Sequence, residues 1–171
     1  ADSDLLDPRS WHFTPPIKYD PAWPGVADGP SSGNIEGTLA IAPDGGLYNV
    51  MRYDMTRCTP NYGMVLAYRV NTDDPDAPLE YDHAIRLPGN HSKFMIRRDG
   101  ESGKYLTIIS RILNSDCAGN RNLLSLMVSD DMENWRLALD LIDRRDSDPA
   151  LVGFQYVDFT IDGEDLIYLC R

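Results

Sequence analysis

Apolar and polar positions alternate over short stretches broken by Gly, Asp, Asn and Pro, which predicts strands and turns. Three segments repeat one arrangement: Glu36–Arg52, His91–Arg111 and Phe154–Arg171. Each holds a strand rich in β-formers, an Asp-Gly pair, a second strand dense in Leu, Ile, Val and Tyr, and then an arginine. Asp-Gly between apolar stretches signals a hairpin, because glycine accepts the positive φ that such turns need. The arginines recur at an interval of about 60 residues. Turns and arginines in phase mark a structural repeat.

Between the hairpins there is room for two more strands in each unit. Met64–Val70 and Leu79–Leu87 fill the first gap, Asn122–Val128 and Trp135–Ile142 the second. The second pair is rich in Leu, Met and Ala and also reads as helix; the phase of the repeat and the Ser129-Asp130-Asp131 turn favour strands. Ser10–Ile17 is expected as an outer edge strand, where Pro15 and Pro16 are tolerated. The expected fold class is therefore all-β, a β-propeller of four-stranded antiparallel blades. Residues 1–20 end a preceding blade, 34–88 and 89–145 form two blades, and 150–171 form the first half of another. A propeller closes with roughly four to eight blades. About three, the last incomplete, leave the remaining blades to be supplied by the same polypeptide.

Composition narrows the partners. The 171-residue chain carries 16 basic and 27 acidic residues, a formal charge of −11, which disfavours general nucleic-acid binding. It has no apolar run long enough for a membrane span. Cys58, Cys117 and Cys170 make neither a disulfide framework nor a spaced metal site, so no metal and no cofactor are expected. Cys58 and Cys117 each fall six residues past an arginine, and their pairing is one arrangement open to a secreted protein; Cys170 reads as core. The start, Ala1-Asp2-Ser3-Asp4, has no features of a signal peptide and reads as a chain begun partway through.

Topology then places the chemistry. With the first strand innermost and successive strands antiparallel, strand-one starts and strand-two ends share a face. Glu36, His91, Lys93, Gln155, Tyr156, Asp158 and the arginines Arg52, Arg111 and Arg171 are expected there. Three guanidiniums together would bind a carboxylate through bidentate forks; alternatively each caps a strand end by pairing with a nearby acid such as Asp54 or Glu36. His91 with Lys93 or a tyrosine would suit proton abstraction beside a uronate carboxylate, as in β-elimination. Its plainer role is a hydrogen bond to a loop carbonyl.

Ser129-Asp-Asp131-Met-Glu-Asn-Trp135 and, more loosely, Ser3-Asp-Leu-Leu-Asp7-Pro-Arg-Ser-Trp11 resemble the Asp-box turns of the sialidase-like (BNR-repeat) β-propellers. Glu133 stands where the usual pattern has glycine, and Trp135 comes one residue early. Asn34–Gly37, His91–Phe94 and Gly153–Asp158 are similar to segments of bacterial exo-sialidase-like proteins. The resemblance implies a glycosidase acting on an acidic oligosaccharide or glycoconjugate, in a secreted or periplasmic setting. It implies Arg52, Arg111 and Arg171 as a carboxylate-binding triad, with Lys93 and Gln155 beside the substrate. Tyr156 would be the nucleophile, Glu36 its activator and Asp158 an acid; read from the residues alone, Tyr156 is also a core or ring-stacking side chain and Asp158 a salt-bridge partner. A propeller lyase using His91 and a non-catalytic glycan-binding propeller are the alternatives.

Overall fold

The computed structural model describes residues 4–26, 33–54, 63–89, 91–114 and 119–171. Among these residues ten strands form three antiparallel sheets in which sequence neighbours are sheet neighbours. β1 (Gly33–Ile41), β2 (Leu47–Asp54), β3 (Met64–Arg69) and β4 (Glu80–Arg86) make the first. β5 (Ile96–Arg98), β6 (Tyr105–Ser110), β7 (Leu123–Ser129) and β8 (Arg136–Asp143) make the second, and β9 (Asp158–Asp162) and β10 (Asp165–Leu169) a two-stranded third. The segments that also read as helix are thus β7 and β8. The weak alternation of β7 has a physical cause, because β7 is covered on both faces and both are largely apolar.

Side chains from successive positions serve different cores. Ile109 joins Val50, Val65 and Ile85 between the first and second sheets, while Ile108 and Leu124 meet Val157 and Phe159 between the second and third. The first strands are neighbours: the Ile96 N–H donates to Thr38 Oγ1 at 3.2 Å, and Arg97 on β5 pairs with Asp158 on β9 at 2.9 Å.

Two of the three Asp-Gly turns place their glycine in the left-handed region, Gly45 at φ 85° and Gly163 at φ 59°. In the second hairpin that role passes to Gly103 (φ 72°), because the connection between Arg98 and Tyr105 is longer. The Asp99 carboxylate caps the longer turn by accepting from the N–H groups of Glu101 and Ser102.

Residues 10–17 do not form the expected edge strand. After a 3₁₀ turn (Pro8–Ser10) the chain is extended but joins no ladder; Pro15 and Pro16 offer no donors. The segment that follows instead covers the outer face of the first sheet. Ile17, Tyr19, Trp23 and Val26 pack over Tyr53, Leu66 and Tyr68, with Trp23 stacked on Tyr81 at 4.4 Å.

His83 on β4 latches the first sheet to the β7–β8 turn. Its Nδ1 lies 2.5 Å from Asp82 Oδ2 and its Nε2 2.7 Å from Glu133 Oε1. Burial pulls the imidazole pKa down, but the two carboxylates outweigh it and leave the pKa raised. A raised folded-state pKa gives stability that is complete below about 6.5, the unfolded value, and is lost as pH rises through the folded value. The melting temperature of His83→Gln should therefore fall below wild type at pH 5.5 and approach it above neutrality. A gap independent of pH in melting curves would contradict the latch.

Candidate functional site

Because the strands are antiparallel, the starts of β1, β5 and β9 and the β2–β3 and β6–β7 connections share one end of the sheets. The hairpin turns and the Ser129–Trp135 turn lie at the other end. The length of β7, about 20 Å at 3.3 Å per residue, separates that turn from the residues described next. There Asp131 accepts from Glu133 N, Asn134 N and Asn134 Nδ2, which hold its carboxyl far below the usual range. Met132 takes the left-handed position (φ 69°).

At the connection end the side chains converge on one backbone oxygen. Arg52, reaching from β2, donates through Nη1 to Glu36 Oε2 at 2.8 Å and through Nη2 to the His91 carbonyl at 2.9 Å. A register irregularity in β1 between Asn34 and Gly37 contains Glu36. Arg121, just before β7, donates through Nη2 to the same His91 carbonyl at 2.7 Å and through Nη1 to Gln155 Oε1. The His91 ring is fully buried and its Nε2 donates to the Asn120 carbonyl at 2.7 Å. That bond puts the proton on Nε2; Nδ1 has no partner among the described residues. Burial, and then the charge of Arg121, push the ring pKa down to about 4, so it is neutral at pH 7.

Arg171 completes the group. It and Gln155 exchange backbone hydrogen bonds of 2.9 Å. Its guanidinium lies 4.8 Å from the centroid of the Tyr156 ring, a cation–π contact. Tyr156 is 43% exposed and takes φ 54°, an unusual conformation for a side-chain-bearing residue. Arg121, Gln155 and Arg171 line a cleft of about 350 Å³ with Gly153 and the 149–152 loop.

Among the described residues Arg9, Arg52, Arg69, Arg97, Arg111 and Arg145 each have a carboxylate within ion-pair distance, whereas Arg86, Arg98, Arg121, Arg136, Arg144 and Arg171 do not; Arg121 and Arg171 are set apart by lining one cleft together. Burial, and then the nearby charge of Arg52, lower the Arg121 pKa. Both effects disfavour its cationic form, and an incoming anion would offset them.

Several expectations change accordingly. His91 does not reach the cleft as a base: no part of it is exposed, and its ring makes the loop-carbonyl bond that was its plainer role. Arg111 does not join the other arginines. Its guanidinium turns across its own sheet onto both oxygens of Asp140, each at 2.8 Å, and onto Ser125 Oγ at 3.0 Å. Asp158 is held by Arg97, which keeps its carboxyl below the usual range and ionised, the wrong state for a proton donor at neutral pH. Lys93 contributes a positive charge near Asp158. Glu36 is engaged by Arg52, and no hydrogen bond joins it to Tyr156. Cys58 and Cys117 lie outside the described residues; Cys170 packs, partly buried, against the core between the second and third sheets.

Arg121 stands outside the phase of the repeated arginines, so the repeat does not single it out. The topology itself contained the signal, since strand-three starts share the face of strand-two ends, and Asn120-Arg121-Asn122 sits there.

No protein-family model matches the chain, those of the sialidase-like repeats included, and no curated protein matches it. Among solved structures the chain is similar to a β-1,3-galactosidase of family GH43 determined with galactodeoxynojirimycin. The identity is 17% and the TM-score 0.44, over 80% of this chain and 41% of that one. The chain thus spans less than half the length of that enzyme.

Proposed function

We propose that the chain is part of a carbohydrate-active β-propeller whose cleft at Arg121, Gln155 and Arg171 takes the carboxylate of an acidic sugar. Repeated four-stranded meanders support the propeller. The observation that carries the ligand is the presence of two arginines without carboxylate partners beside a shared cleft, in a chain of net charge −11. Arginine forks suit a planar carboxylate. The Tyr156 ring, half-exposed beside Arg171, would flank the sugar.

The test is calorimetric titration with 3′-sialyllactose, its carboxylate methyl ester and lactose. The acid should bind at least about tenfold more tightly than the ester, the worth of one charge-assisted hydrogen bond; equal affinities would sink the reading. Release of free sialic acid, abolished in Tyr156→Phe, would extend it to sialidase-like hydrolysis with Tyr156 as nucleophile. Binding without turnover would make the cleft a glycan-recognition site.

A further inference from the structure

Resting on that reading of the cleft, we propose that His91 is the positioning residue for Arg121, holding both its backbone and its guanidinium. The two ends of Arg121 return to the same residue. The His91 ring donates to the carbonyl of Asn120, the residue immediately before Arg121, and the His91 carbonyl accepts from Arg121 Nη2. Gln155 takes the other terminal nitrogen, and the Arg121 carbonyl accepts from Phe154 N at 2.7 Å. The guanidinium is thereby fixed in direction with no carboxylate within ion-pair distance among the described residues; the charge of Asp54 acts on it only from further away.

The alternative holder, Arg52, shares the His91 carbonyl but points its other terminal nitrogen to Glu36. It adds positive charge beside Arg121 and no anchor for the 120–122 backbone. Phe154 N and Arg144 N hold that backbone at the Arg121 and Asn122 carbonyls, and the His91 ring holds it at Asn120, on the side of Arg121 that neither of them reaches. A ring without a donor at this position would leave the half-buried Asn120 carbonyl without that bond and loosen the N-terminal side of the segment that aims Arg121.

His91→Phe keeps an aromatic ring, slightly larger, and the backbone carbonyl while removing the Nε2 donor; Nδ1, lost with it, has no partner among the described residues. His91→Gln can restore a donor through its amide. The readout is the ratio of dissociation constants for the methyl ester of 3′-sialyllactose and for 3′-sialyllactose itself, which isolates recognition of the carboxylate from general folding. We expect His91→Phe to lower that ratio about tenfold and His91→Gln to recover most of it. A wild-type ratio in His91→Phe would overturn the positioning role. A ratio of one in the wild-type protein would instead overturn the cleft reading, so the two failures are distinct. Should His91→Phe not fold, ring ¹⁵N spectra of the wild-type protein decide. Adding 3′-sialyllactose should shift the His91 Nε2 resonance and the ester should not; no shift with the acid would overturn the proposal.

Discussion

Arg121→Met should weaken binding of 3′-sialyllactose on the order of a hundredfold, the worth of two hydrogen bonds between charged groups, while leaving lactose affinity unchanged. The loss falls on the acid because Arg121 has no carboxylate within ion-pair distance among the described residues, its terminal nitrogens being held by Gln155 and the His91 carbonyl. The fold should be retained at some cost in stability, since the His91 carbonyl keeps Arg52 as a donor and Phe154 N still bonds the backbone carbonyl at position 121. Arg111→Met provides the contrast. It strands Asp140, whose carboxyl the Ser125 and Arg111 contacts hold below its usual range despite burial. Stability should therefore fall while affinity for the acid does not. If both variants lost affinity equally, the two arginines would not differ as their partners say.

Gly89→Ala should destabilise the protein by about 1–3 kcal/mol, the usual cost of overpacking a filled core. A Cβ at position 89 would sit 2.5 Å from Ile109 Cβ and 2.8 Å from its Cδ1, and Ile109 is fully buried between the first two sheets. Neither partner has room to move. Because Gly89 opens the segment that leads to His91, the same variant should also weaken acid binding. Urea denaturation checks the first effect and calorimetry the second. Gly100→Ala is the control: its Cβ would meet nothing within 4 Å, so its stability should stay within about 0.5 kcal/mol of wild type. A wild-type midpoint for Gly89→Ala would mean that the loop yields where the packing says it cannot.

How far the sequence carried depended on which forces act locally. Strand pairs flanking Asp-Gly turns were legible because alternation and turn chemistry are local, and β1–β2, β5–β6 and β9–β10 lie where those turns put them. Residues 10–17 were misread because an edge strand needs a neighbouring edge to accept it, which local pattern does not reveal. The end of the sheets on which the cleft lies followed from antiparallel connectivity alone. Which arginine faces it did not, because that depends on partners distant in sequence. Asp140, 29 residues further on, captures Arg111, and Gln155, 34 residues on, holds Arg121. His91 shows the same limit: it lies in the turn before β5, at the end of the sheets where its repeat position put it, but burial decided what its ring touches.

The shared His91 carbonyl also joins the three sheets mechanically. Arg52 comes from the first sheet, Arg121 from the second, and Gln155 leads into the third. Pulling any sheet away breaks a bond to a residue held by another. A sugar acid seated on Arg121 and Arg171 would tighten this seam from outside, so its binding energy should add to the cooperativity of unfolding. Amide hydrogens on all three sheets, not only those lining the cleft, would then exchange more slowly when the acid is bound.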